Sequence, residues 1–308
     1  MSDNSQIVEF FKNQTIFITG GNGPVGKLIL EKLLRTFWDL KKIYLLMRPK
    51  KGKSPEQRFS HLFTNPCFES IKGKNFKSKV LLISGDCNQP SLGLNSEDVD
   101  IPKKETTYIF HIAANVNFLQ TIKEASYIVS CTKQMIKLAK EMENLKVFVY
   151  VSTAYSNCIN NYIREEIYQP PITAQTFLDL VNSCDEYDLR NTLLPYLNKW
   201  PNNYLVSKCL SEDLIKSSAI GIPTAIVRPA IVTNTIKEPI PGYIDNYYGF
   251  IGLVVGGYMG VIPNLHKALL IQRIDTTLPQ AKKKVKILFV LHYTTVALFY
   301  YFLCCLNF

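Results

Sequence analysis

Residues 15–36, TIFITGGNGPVGKLILEKLLRT, restrict the fold more than any other part of the chain. Thr15–Thr19 reads as a short buried strand, and an amphipathic helix follows from Lys27 to Thr36. Between them, Gly20, Gly23 and Gly26 give the spacing T-G-x-x-G-x-x-G directly after the strand. The first glycine permits a tight turn, and the second lets the backbone approach a pyrophosphate. The third lets helix and strand pack closely. Pro24 suits a first helical turn, and the helix N-terminus stabilises an anion. Gly20, Gly23, Pro24, Val25 and Gly26 are therefore expected to hold a dinucleotide, against the plainer reading of an ordinary glycine loop.

The rest of the chain continues the alternation. Ile43–Met47, Val80–Ile83, Tyr108–Ile112, Val147–Val151 and Thr224–Val227 read as strands, with helices at Ala125–Glu141 and Leu205–Ala219. Short apolar strands separated by helices point to an α/β, doubly wound parallel sheet of Rossmann-like type, with helices on both faces. A short substrate-side extension and a C-terminal hydrophobic helix complete the expected fold. The organisation read is an N-terminal segment (1–14), a reductase domain (15–240), a partial substrate region (241–286) and an apolar helix (287–306). Glu165–Pro201 reads as an insertion over the active-site edge, and Glu238–Gly260 as loop.

Of 308 residues, 47% are hydrophobic and 19% charged, which excludes a mainly disordered or collagenous chain. The net charge of +10 is clustered, with Lys41, Lys42, Arg48, Lys50, Lys51 and Lys53 close together and Lys282, Lys283, Lys284 and Lys286 near the end. Such clusters suit anionic partners, but no nucleic-acid-binding motif is present, so nucleic acid is not an expected partner. The eight cysteines form no C-x-x-C pair, disulfide framework or metal set. The expected state is thiols in a reducing, cytosol-facing compartment, with no metal. Ile287–Leu306 contains no Asp, Glu, Lys or Arg. A helix of that length spans about 30 Å, so membrane insertion is expected, with the preceding lysines on the cytosolic side.

The glycine spacing resembles that of short-chain dehydrogenase/reductase proteins. Where an acid would bind a ribose hydroxyl at the end of the second strand, this chain has Arg48, suited to a 2′-phosphate and so to NADPH. The resemblance places Asp86 and Cys87 against the adenine, and Ala113 and Ala114, in HIAAN, beside the nicotinamide ribose. Tyr204 and Lys208 form the one Y-x-x-x-K of the chain, at the start of the helix after the fifth strand. In that role Lys208 lowers the Tyr204 pKa and holds the ribose, while Tyr204 transfers a proton. Ser152 and Thr153 offer the hydroxyl that orients a carbonyl, Thr153 being the first choice.

Over residues 15 to 260 the chain resembles the fatty acyl-CoA reductase family, in KKIYLLMRPKKGKSPEQR, GDCNQPSLGL, VSTAYSNC, KWPNNYLVSKCLSEDLI and IVRPAIV with EPIPGYIDN. Pro24 stands where that family usually has an aromatic residue. The resemblance implies NADPH-dependent reduction of a long-chain acyl-CoA to a primary alcohol through an aldehyde, on an endoplasmic reticulum or peroxisomal membrane. After Gly260 the chain passes within a few residues to DTTLPQAKKKVKILFVLHY, which resembles the far end of the family's second domain. An internal block is therefore expected to be missing, leaving the acyl pocket incomplete. The rival readings are an NADPH-holding membrane protein without turnover and a sterol or sugar-nucleotide enzyme of the same superfamily. Oligomeric state is not legible.

Overall fold

The computed structural model describes residues 3–74, 76–247, 249–259 and 285–290. Among the described residues, seven strands form one parallel sheet: β1 (Thr15–Thr19), β2 (Lys42–Met47), β3 (Val80–Ser84), β4 (Tyr108–His111), β5 (Val147–Val151), β6 (Thr224–Pro229) and β7 (Val285–Val290). Their spatial order is β3-β2-β1-β4-β5-β6-β7. The chain thus runs outward from β1 to β3, then returns to lay β4 on the other side of β1. That reversal opens a crevice at the carboxyl ends of β1 and β4, where open α/β sheets bind ligands. The register sets Thr19 beside both Leu46 and His111, and Val151 beside Val227. Gly20, Arg48, Ser152 and the residues after β4 therefore share one edge.

Burial on both faces explains the apolar strands: every residue of β1 and β6 is buried. On one face α1 (Asp3–Phe11) and α2 (Pro24–Thr36) pack Phe11, Leu30 and Leu33 against Ile16, Ile18 and Leu45. Two further helices, α3 (Pro55–Leu62) and α4 (Ser96–Glu105), flank β2 and β3 in sequence. The other face carries α5 (Ile122–Lys140), α6 (Ala174–Ser183), α7 (Glu186–Leu197) and α8 (Asn203–Ser218), where Met135, Phe177, Leu193 and Leu210 meet Phe148 and Ile226.

The helices begin earlier than apolar spacing alone indicates, because polar caps start them. Thr121 and Glu124 form a capping box at α5, and the Asn202 side chain accepts from Leu205 N at α8. The insertion at 165–201 contains α6 and α7, and the segment read as loop contains α9 (Phe250–Tyr258). At the other end, Ile287–Val290 are not the opening of an apolar helix. They are the last four residues of β7, registered against Ile226, Val227, Arg228 and Pro229. An apolar run of this kind serves a buried strand as well as a helix, and periodicity does not separate the two. Residues 291–306, and the junction after Gly260, lie outside the described residues. Among the described residues, no helix is long and apolar enough to cross a membrane.

Candidate active site

At the β1–α2 turn, Gly20 has φ +76, and a Cβ there would lie 2.6 Å from Ala113 N. A Cβ on Gly26 would lie 2.2 Å from Gly20 O. Only glycine fits at either point, so the turn lies flat against the exit of β4 and against its own helix. Gly23 N donates to Gly20 O at 2.9 Å, and Gly23 caps α2 with no side-chain hydrogen bond, Pro24 following at the first turn. The helix N-terminus is thus uncapped by side chains and free to face an anion. Gly23 and Val25 are half-buried, and Pro24 is exposed.

His111, at the end of β4, is buried and braces this turn. Its Nδ1 lies 2.7 Å from Thr19 Oγ1, and its Nε2 3.2 Å from Thr132 Oγ1 on α5. Thr19 Oγ1 also accepts from Ala113 N at 3.3 Å. Burial, and then the charge of Lys208, pushes the imidazole pKa down to about 3, so the ring is neutral at physiological pH. Sequence reading noted only the small residues that follow. Ala113 is half-buried and Ala114 exposed at this edge.

Arg48 stands half-exposed beyond β2, 3.8 Å from Asp86 Oδ2, and its carbonyl accepts from Arg58 Nη1. Burial, followed by the repulsion of Arg48, Arg58 and Lys51, lowers the Lys50 pKa; burial and then Arg48 lower that of Arg58. Cations crowded around Lys50 and Arg58 in this way favour an added anion. Asp86 itself is tied into the loop after β3: its Oδ1 accepts from Asn88 N, and its N–H donates to Leu92 O at 2.8 Å. Cys87 corrects one expectation. It is bonded to Cys131 of α5, so the cysteines are not all thiols. The two lie 44 residues apart, a pairing no local spacing reveals.

Tyr204 and Lys208 occupy the first two turns of α8, both buried, at 8% and 2% exposure. Lys208 Nζ donates to Val151 O at 2.7 Å and lies 4.8 Å from the centroid of the Tyr150 ring. Burial drives its pKa down to about 7, opposed by Glu212. Burial alone pushes the Tyr204 phenol up to about 12. The expectation that Lys208 lowers the Tyr204 pKa is thereby corrected: in this conformation the ammonium is directed to a carbonyl and an adjacent ring, and desolvation sets the phenol.

Ser152 and Thr153, adjacent in sequence, differ in attachment. Ser152 Oγ donates to Glu212 Oε1, which also accepts from Ser156 Oγ at 2.9 Å and from Arg228 Nε at 3.0 Å. Arg228 and Glu212 form a fully buried ion pair, and Asn157 joins it. Ser152 thus belongs to a structural cluster. Thr153 Oγ1 makes only long contacts, 3.4 Å to Pro229 O and 3.3 Å from Tyr155 N, so its hydroxyl is the looser of the two. Phe118, unread in the sequence, sets its ring 5.8 Å from that of Tyr204 and is itself exposed, as are Val116 and Leu119. The available signal was three apolar residues in the otherwise polar NVNFLQT. Among the described residues, no cluster of His, Cys, Asp or Glu is arranged to hold a metal.

Known proteins resemble this chain over most of its length. An NAD-binding family model described as male sterility protein matches residues 18–277. Fatty acyl-CoA reductase wat of Drosophila melanogaster is 40% identical over 266 residues, covering 85% of this chain and 51% of that protein. Fatty acyl-CoA reductase 1 of Homo sapiens is 36% identical over 260 residues, covering 83% and 50%. The chain therefore spans about half the length of the curated relatives it matches. Among solved structures, the terminal R domain from the myxalamid PKS-NRPS biosynthetic pathway superposes with a TM-score of 0.60 at 23% identity, covering 81% of this chain and 56% of that one. That likeness concerns the fold.

Proposed function

The chain belongs to the male sterility protein family of NAD-binding domains, and from that premise we propose that it is an oxidoreductase that reduces a long-chain fatty acyl-CoA to a primary alcohol, through an aldehyde, with NADPH. The observation that carries the proposal is the buried Tyr204–Lys208 pair, docked by Lys208 on the last carbonyl of β5 at the edge that bears the glycine turn.

The residues present suit the cofactor. The flat turn at Gly20 and Gly26 and the α2 N-terminus at Gly23 suit a pyrophosphate, and the mutually repelling cations Arg48, Lys50 and Arg58 suit a 2′-phosphate. When bound, a reduced nicotinamide supplies the hydride. Everything else falls to the chain. Tyr204, with a pKa of about 12, is protonated at neutral pH and donates a hydrogen bond to the carbonyl oxygen, then gives up its proton as charge develops there. Thr153 supplies the second hydroxyl, free of the Glu212 cluster that holds Ser152. Lys208 fixes α8 to β5, and reaches a ribose only on leaving the Val151 carbonyl. The exposed Val116, Phe118 and Leu119 give an apolar approach to Tyr204 that suits an acyl chain. Attachment to an endoplasmic reticulum or peroxisomal membrane stays in this proposal through the composition of residues 291–306 alone.

The test is incubation of the full chain with NADPH or NADH and long-chain acyl-CoA, with products identified by mass spectrometry. Fatty alcohol formed with NADPH in preference to NADH is the expected result. Thermal stabilisation by NADPH without its oxidation would select instead a nucleotide-holding protein without turnover.

A further inference from the structure

We propose that Cys87 and Cys131 form a reversible thiol modification site: joined as a disulfide they close the adenosine end of the crevice, and as two thiols they open it. The inference rests on the reading that this crevice takes a nicotinamide dinucleotide.

Cys87 lies just beyond the carboxyl end of β3, next to Asp86, at the ligand-binding edge of the sheet. Cys131 lies mid-way along α5, 3% exposed, and the next residue, Thr132, meets His111. The bond brings the two Cα atoms to 4.8 Å. The bond thereby holds the β3 loop down against α5 at the edge where the adenosine end of the dinucleotide is read.

The loop around Cys87 carries an independent sign of constraint. Ser91, Leu92 and Gly93 are consecutive left-handed residues, with φ 51, 60 and 64. A buried leucine in that region is held only where its surroundings over-determine it. Leu92 packs in the same core as Met135 and Leu138 of α5, and Asp86 N donates to Leu92 O. Disulfide and leucine thus pin one loop to one helix. Release of the bond frees a backbone that other conformations suit better.

The exchange chemistry is complete with glutathione disulfide as oxidant. The Cys87 thiolate attacks that disulfide, forming a mixed disulfide and expelling one glutathione thiolate. The Cys131 thiolate then attacks the Cys87 sulfur and expels the second. Two protein thiols and glutathione disulfide thereby become one protein disulfide and two molecules of reduced glutathione, the two cysteine protons ending on the glutathione thiols. Cys87 is half-buried, so small thiol reagents reach it, whereas burial pushes the Cys67 and Cys209 thiols up to about 12 and leaves them poor nucleophiles. In a reducing compartment a disulfide of this kind is a sensor rather than a staple.

The full chain is equilibrated with excess reduced glutathione or excess glutathione disulfide. Bridged peptides are then identified without reduction, and NADPH affinity is measured by nicotinamide fluorescence. The expected result is a Cys87–Cys131 peptide in the oxidised sample and NADPH binding about 10-fold or more weaker, reversed by dithiothreitol. Cys131→Ser, or Cys131→Ala should the first variant not fold, binds like the reduced protein in both buffers. Equal affinity in both buffers with the bridge present overturns the proposal, as does alkylation of both thiols after glutathione disulfide. Failure of the reduced protein to bind NADPH defeats the dinucleotide reading itself, a different result from binding that ignores the bridge.

Discussion

The two halves of the crevice are built by opposite means. On the β1–β2–β3 side, backbone does the shaping: Gly20 and Gly26 let chain meet chain, and the charged groups, Arg48 among them, stand partly in water. On the β4–β5–α8 side, polar side chains do it, sealed from solvent: His111, Ser152, Lys208, Glu212 and Arg228 are all at or below 2% exposure. A backbone-built site tolerates side-chain change around it. A side-chain-built site is a network in which removal of one member strands another in a low dielectric.

The largest expected effect in this contrast is on the sealed side. Glu212→Gln removes the carboxylate of the buried Arg228 ion pair, and we expect a loss of about 3–5 kcal/mol in urea unfolding. A loss below about 1 kcal/mol, the scale of a surface pair, would mean that this half is not the sealed network described. Next, Gly20→Ala places a methyl group against Ala113 N at a left-handed φ. It should cost about 1–3 kcal/mol and abolish measurable NADPH binding; unchanged binding in titration calorimetry would refute the close-packed turn. Thr153→Ala should lower kcat about 10²-fold with little change in melting temperature. Ser152→Ala should instead cost about 1 kcal/mol of stability and leave kcat nearly intact. The reverse pattern would exchange their roles.

A further effect is a pH slope. Lys208 has its pKa lowered in the folded state from an ordinary 10.5 to about 7. Between those values the unfolded chain binds more protons than the folded one, so this residue makes stability rise with pH from about 7 towards 10.5. Below about 7 the buried ammonium is charged in both states and its burial penalty is constant. Lys208→Met should flatten the slope of unfolding free energy over that window, measured against wild type at matched ionic strength.

What was legible in the sequence follows the same division. The glycine turn shows itself through residue type and spacing, because the constraint is local: no side chain fits. The central strands show themselves as apolar runs. Ser152 and Thr153 are indistinguishable in sequence, and it takes Glu212, sixty residues after Ser152, to separate them. The Cys87–Cys131 bond depends on the loop after β3 meeting the middle of α5, and the direction of Lys208 depends on the last carbonyl of β5. Both are tertiary facts with no local trace. Residues 287–290 failed differently, because an apolar run carries no sign of whether strand pairing or helix satisfies its backbone.

We propose that the sealed half performs proton transfer through Tyr204. This is tested most directly by Tyr204→Phe in the full chain, following NADPH oxidation and fatty alcohol formation from a long-chain acyl-CoA. The expected result is intact NADPH affinity and a fall in kcat of about 10²–10⁴. Alcohol formation at an undiminished rate by the phenylalanine variant would contradict it.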